Sequence, residues 1–267
     1  MTNLKLDTPL LAEKYDELSN IQFDNGLILI EKLGIKEGER VLDIGCGTGR
    51  LVSYVSNVVG SNGKVVGIDP LPLRIDIARQ KIKGENISFE VGVSEDLSLF
   101  EESSFDHIYL NAVFHWVVNK EATLTEIYRV LKLGGRIGIN TQARESPGCL
   151  KLTTDSVLNR EPYAESVVSS EDPMIKHAVT SPELKRLLEV SGFRNISLEL
   201  RKTKRYYQNS GEIIDLVTSS SFGNYLIHVP AHLQEQAAFE IATELEKARN
   251  EKGIEFISNN VFAFAQK

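Results

Sequence analysis

The sequence predicts an α/β fold: a doubly wound, mostly parallel seven-stranded sheet, Rossmann-like in order, with a helical lid. Three observations carry this expectation. Apolar strand-like runs alternate with helical patterns through the first half, the order that builds a parallel sheet with covering helices. A glycine turn, Gly45-Cys46-Gly47-Thr48-Gly49, joins the first strand to the helix after it. Two late strands are separated by a helical excursion, which suggests an antiparallel pair at the sheet edge.

The elements follow in order. Leu10–Ser19 and Phe23–Leu33 read as opening helices. Strands are expected at Val41–Ile44, Lys64–Ile68, Ile87–Val91, Phe105–Leu110 and Arg136–Asn140, the last after Gly134-Gly135. Helices are expected at Gly49–Val58, Leu71–Ile82 and Lys120–Leu131. Gln142–Thr180, with Pro147, Pro162 and Pro173, shows no strong period. Ser181 is a plausible N-cap and Pro182 suits a first helical position. Leu184, Leu187 and Leu188 give that helix a buried stripe, and Gly192 closes it. Ile196–Tyr207 reads as a long strand, Ile213–Val217 and Leu233–Ala248 as helical, and Val261–Ala265 as the last strand.

The chain has 267 residues, 30 Lys and Arg against 37 Asp and Glu, a net charge of −7 and 42% apolar residues. At roughly 150 residues per domain, it is long for one domain and short for two. The expected division is one domain. Residues 1–38 are helices over the ligand site, and 39–141, 181–210 and 254–267 form the core. Blocks 142–180 and 211–253 are expected to form a substrate lid. Cys46 and Cys149 are too few for a disulfide framework, which points to a reducing compartment. Neither a secretory signal nor an 18-residue apolar run is apparent, so a cytoplasmic protein without a membrane partner is expected. Mild acidity argues against a nucleic-acid partner. Oligomeric state is not legible.

The most informative segment is Val41-Leu42-Asp43-Ile44-Gly45-Cys46-Gly47-Thr48-Gly49. Strand, turn and helix place this loop at a strand's carboxyl end, where open α/β sheets bind ligands. Arg50 stands where a dinucleotide fingerprint wants glycine, and no Gly-Lys-Ser/Thr phosphate cradle follows. Asp43 instead suits a ligand with an ammonium group. Asp69, twenty residues beyond Gly49, is placed to accept both hydroxyls of a ribose. Ribose and ammonium without phosphate describe S-adenosyl-L-methionine.

With these residues the chain resembles the class I S-adenosylmethionine-dependent methyltransferases over roughly Glu39–Asn140, including Arg129-Val130-Leu131-Lys132-Leu133-Gly134-Gly135 before the fifth strand. The resemblance implies that Gly45, Cys46, Gly47 and Gly49 hold the methionine part and Asp69 the ribose. Pro70 would line the adenine pocket, and Asn111 and Ala112 would face the sulfonium. The family often carries Gly-Asp after the third strand; here the segment is Gly92-Val93-Ser94-Glu95-Asp96. Val93 cannot accept from the adenine amino group, so Ser94, Glu95 or backbone must. No metal is implied. Two cysteines also supply too few thiolates for the arsenite methyltransferases.

Trp116, the only tryptophan, is either a core ring or a group beside the transferred methyl. His115 is either a general base or a structural histidine. His115-Trp116, the Tyr15…Gln22 helices and the segments around Phe222-Gly223-Asn224 and Phe262–Ala265 are similar to the small-molecule carboxyl methyltransferases of the trans-aconitate and juvenile hormone acid types. That resemblance implies Gln22 and Trp116 contacting a carboxylate. A carboxylate of pKa about 4 is ionised at pH 7 and needs no base. The alternatives are an N-, S- or C-methyltransferase using His115 as base, or a non-catalytic S-adenosylmethionine-binding module. Candidate contacts to a small-molecule substrate are Tyr15, Arg144, Arg205 and Tyr207. Within Arg201-Lys202-Thr203-Lys204-Arg205-Tyr206-Tyr207 alternate residues share a face. The cluster is either a charged, solvated edge or a grip for a second acidic group.

Overall fold

Adjacent residues of a strand face opposite ways, so a strand apolar at every position is covered on both sides. The first half of the chain shows this pattern in the computed structural model, which describes residues 3–165 and 177–267. Residues 166–176 of the expected lid block, Pro173 among them, lie outside the described residues. Strands β1 (Arg40–Ile44), β2 (Lys64–Asp69), β3 (Ile87–Val91), β4 (Phe105–Asn111) and β5 (Leu131–Gln142) pair in parallel in the order 3-2-1-4-5. Leu42, Ile44, Ile108 and Leu110 pack on one face against Leu124 and Ile127 of helix α5 (Lys120–Val130). Val41, Val65 and Tyr109 pack on the other, against α2 (Asn20–Leu33) and α3 (Arg50–Val59). The crossovers reverse direction between β1 and β4, whose carboxyl ends lie side by side with Ile44 opposite Leu110. Such a reversal opens a crevice for a ligand.

The far edge is antiparallel, as the late strands suggest. β8 (Gly253–Gln266) pairs with β5 and with β6 (Arg194–Tyr207). It starts earlier than the expected Val261, because buried Ile254 and Phe256 alternate with half-buried Glu255 and Ile257 and pair with Tyr207 and Arg205. A two-residue strand β7 (Arg249–Asn250) adds an eighth member to the sheet. β5 likewise begins at Leu131, directly where α5 ends, so Gly134-Gly135 lie inside the strand beside a register shift opposite Phe105–His107.

The remaining α-helices among the described residues are α1 (Pro9–Leu18), α4 (Pro72–Lys81), α6 (Cys149–Leu158), α7 (Ser181–Val190), α8 (Ser210–Ser220) and α9 (Gln234–Glu246). α6 lies in the block that shows no period in sequence. The N-cap of α7 is Thr180 rather than Ser181. Thr180 Oγ1 accepts from the Glu183 amide at 3.3 Å while the Glu183 carboxylate accepts from the Thr180 amide at 2.7 Å, a reciprocal capping box. Ser181 is thereby the first helical residue and turns its amide to Glu145. α6, α8 and α9 bury Val157, Leu158, Ile213, Leu216, Val217, Ile241 and Leu245 with Ile21, Ile254 and Phe256 in a cluster apart from the two sheet faces.

Candidate active site

The carboxyl ends of β1, β2 and β4 open onto a cavity of about 350 Å3, closed above by α1, α2 and α8. Glycine makes the near wall. Gly45 and Gly47 have φ of +75° and +54°, and Gly49, at +83°, leads into α3. Side chains pay for such angles and glycine does not. A Cβ on Gly45 would strike the Val113 side chain, and one on Gly47 would come within 2.9 Å of the Tyr15 ring. The Tyr15 ring therefore lies directly over the turn.

Two carboxyl groups flank the glycines. Asp69 accepts from the Gly47 amide at 2.9 Å through Oδ2 and from the Leu71 amide at 2.9 Å through Oδ1. Each oxygen keeps a lone pair, and the side chain lines the cavity. Asp43 is 1% exposed and, among the described residues, accepts only from the Tyr109 hydroxyl, at 2.8 Å. Burial pushes it up to about 8, against the lowering effect of the tyrosine. It borders a recess of about 30 Å3 shared with Tyr15, Gln22, Gly45 and Cys46, room for a group the size of one water or ammonium. A buried carboxyl with no cation beside it among the described residues, a free face on Asp69 and a side-chain-free turn fit S-adenosylmethionine: ammonium to Asp43, ribose to Asp69.

The residues expected from sequence divide by place. Tyr15, Gln22, Gly45, Gly47, Asp69, Pro70, Val93, Ser94, Asn111, His115 and Trp116 all line the cavity. Cys46 and Asp43 line only the small recess. Cys46 packs toward Gly67 of β2, and burial pushes its thiol up. Gly49 lines neither space, since a Cβ there would strike Ile82 and Phe89 on the protein side of the turn.

Three expected substrate contacts lie elsewhere. Arg144 donates to the Ala178 carbonyl at 3.1 Å, pairs with Glu183 and lines a neighbouring cavity of about 310 Å3. Arg205 pairs with Asp24 on α2, and Tyr207 stacks edge-on against Phe256 with ring centroids 5.4 Å apart. Neither lines the main cavity. The alternation of β6 thus turns the Arg205 face toward α2 rather than toward the cavity.

His115 is buried, with Nδ1 3.1 Å from Thr141 Oγ1. Burial, aided by the charge of Lys120, pushes it down to about 3. The Trp116 ring packs on Phe222 at 4.8 Å between centroids. Asn111 closes a chain of amides across three strands. Its Nδ2 donates to the Gln22 carbonyl at 2.9 Å, Asn140 donates to Asn111 Oδ1 at 2.7 Å, and Asn260 donates to Asn140 Oδ1 at 2.9 Å. Ala112 beside it has φ of +59°, a strained angle for a residue with a side chain, of order 1–3 kcal/mol.

Sequence reading misses Arg74, Gln142, Leu150, Ser258 and Asn260, all in the lining. Arg74 leaves one trace. It shares the buried face of α4 with Ile75 and Ala78, and an arginine there has to be satisfied from outside its own helix. Ser258 and Asn260 belong to the part of β8 that the sequence pattern leaves unassigned.

Comparison with known proteins agrees with this geometry. A demethylmenaquinone methyltransferase of Lactobacillus johnsonii is 29% identical over 201 residues, spanning 70% of this chain and 82% of that protein. An arsenite methyltransferase of Aquipseudomonas alcaligenes is 29% identical over 187 residues, spanning 66% of this chain but 53% of that protein. The crystal structure of YcgJ from Bacillus subtilis shares the fold with a TM-score of 0.60 and 21% identity, covering 91% of this chain and 97% of that one. Residues 35–192, more than half of the chain, match the methyltransferase domain family; the protein belongs to that family and is an S-adenosylmethionine-dependent methyltransferase.

Proposed function

We propose that the protein methylates a small molecule on a carboxylate oxygen by direct in-line displacement. The observation that carries this reading is the state of His115. Pushed down to about 3, its imidazole is neutral and too weak a base at pH 7 to deprotonate an amine, thiol or phenol. A carboxylate arrives ionised and asks only for alignment and dry surroundings, which can contribute roughly 7–11 kcal/mol. Bound S-adenosylmethionine supplies an activated methyl group on its sulfonium.

The chain's own residues do the rest. Asp43 holds the methionine ammonium and Asp69 the ribose, while Ser94 and Glu95 stand at the adenine edge beside Val93. Gln22 has a buried Oε1 without a hydrogen-bond partner among the described residues, so its carboxamide is free to turn to a ligand. With the Trp116 indole N–H it provides neutral donors that hold a carboxylate without quenching it as a salt bridge would. Val117, Val118, Leu150, Leu216 and Phe256 keep the acceptor end apolar. In this reading the described residues of blocks 142–180 and 211–253, Leu150 and Leu216 among them, form the cover and decide the acceptor.

The apolar wall also favours a second reading, methylation of a ring-bearing acceptor of the kind named for the demethylmenaquinone methyltransferase relative. Incubation with S-adenosylmethionine and a panel of organic acids and quinols separates the two. A methyl ester is released as methanol in mild alkali, whereas a methyl group on carbon survives it. Ester formation is expected; an alkali-stable product alone would overturn the carboxylate reading. Gln22→Ala and Trp116→Phe are each expected to lower kcat/KM for the acid by 10- to 100-fold, measured as initial rates.

A further inference from the structure

We propose that Arg74 is a positioning residue that couples occupancy of the cofactor half of the cavity to the placement of Trp116 in the acceptor half. Its side chain is buried and lines the cavity. The guanidinium carbon lies 4.2 Å from the centroid of the Tyr15 ring, the ring that rests on Gly47. Nη2 donates to the Ser219 carbonyl at 2.7 Å, and Nε and Nη2 face the Asp7 carboxylate at 3.4 and 3.5 Å. The Phe222 ring centroid lies 5.8 Å away, and the Phe222 ring packs on the Trp116 ring. One planar cation thus touches the N-terminal segment and the end of α8, and it shares the cavity wall with Asp69.

The segment it grips is held in a conformation that side chains rarely adopt. Phe222 has φ of +44° and is followed by Gly223 at +82°. Asn224 fastens this turn to the N-terminal segment: its Nδ2 donates to the Asn3 carbonyl at 3.0 Å and its Oδ1 accepts from the Asn3 amide at 2.8 Å. Asn224 also donates to the Ser221 and Phe222 carbonyls. Strain of this kind persists where surrounding contacts over-determine it. Here the contacts lead from Tyr15 through Arg74 to Phe222 and Trp116. A ligand that settles Tyr15 over Gly47 and Asp69 therefore also settles Trp116. Linkage makes the coupling reciprocal, so an acceptor held at Trp116 tightens the cofactor by the same factor. The coupling concerns the cofactor and Trp116, so it holds whichever acceptor atom is methylated.

Trp116 is the only tryptophan in the chain, and its emission reports directly on this proposal. Acrylamide quenching is measured with and without saturating S-adenosylhomocysteine, with saturation of each variant set by calorimetry. In the wild type the bound ligand is expected to lower the quenching constant at least threefold. Arg74→Met is expected to bind S-adenosylhomocysteine 3- to 30-fold more weakly and, once saturated, to give less than half of that protection. Arg74→Lys can still reach the Ser219 carbonyl but cannot lie flat on Tyr15; it is expected to fold and to give intermediate protection. An arginine that only stabilises the fold would lower the melting temperature and leave protection at saturation intact. Wild-type protection in Arg74→Lys and in any folded Arg74→Met would overturn the coupling.

Discussion

Asp43 and His115 are both neutralised by burial, and their effects on stability have opposite signs. Asp43, at about 8, keeps a proton that the unfolded chain, with an ordinary value of 3.8, has lost. The folded state therefore holds the extra proton between those values, and each pH unit of rise there costs about 1.4 kcal/mol of stability. His115, at about 3 against an ordinary 6.5, leaves the extra proton on the unfolded chain. Its effect makes stability rise with pH up to about 6.5. The two slopes offset each other between 3.8 and about 6.5, and the Asp43 slope stands alone from about 6.5 to about 8. Urea unfolding across this upper window is expected to show falling stability in the wild type and a flatter line in Asp43→Asn. At pH 7 cofactor binding should also release close to one proton, seen by calorimetry in buffers of different ionisation enthalpy. The same burial predicts a pH–rate profile without a limb near 6.5; such a limb, lost on changing His115, would return that residue to the role of base.

At the scale of elements, the turn between β1 and α3 can be separated into a conformational cost and a steric one. Gly38 and Gly47 both have positive φ, but a Cβ on Gly38 meets nothing within 4 Å. Gly38→Ala should therefore cost about 1 kcal/mol in unfolding measurements and leave ligand affinity alone. Gly47→Ala adds contact with Tyr15 and is expected to weaken S-adenosylhomocysteine binding at least tenfold by calorimetry. The asparagine chain behaves differently, because its cost lies in orphaned groups. Asn140→Ala would strand Asn111 Oδ1 and Asn260 Nδ2, for roughly 2–4 kcal/mol at the usual cost per buried polar group. Thr180 and the early half of β8 show why sequence misjudged element ends. A cap is chosen by which side chain can reach an amide, and an amphipathic strand alternates too weakly to stand out until its partner is known.

Across the whole molecule, charge reads less simply than its average. Arg205 lies in a basic run that sequence alone offers as a grip for acids, yet it pairs with Asp24 at a half-exposed position. Such pairs contribute about 0–1 kcal/mol. Arg205→Glu is expected to change KM for mono- and polyacids equally little in steady-state assays; a selective rise for polyacids would place a second acidic group against β6.

The glycine turn, Asp43, Asp69 and the strand–helix alternation were legible in the chain because each rests on local geometry. A turn needs glycine where it needs positive φ, and a parallel sheet buried on both faces writes itself as apolar runs. The proposed cofactor contacts rest on those few residues. The rest of the cavity wall was not legible, since Arg74, Gln142, Leu150 and Asn260 come from four separated elements. Their meeting depends on how α1, α4, α6, α8 and β8 pack over one end of the sheet. Local pattern determines which face of an element is apolar; only the packed whole decides which polar side chains are left looking into the same space.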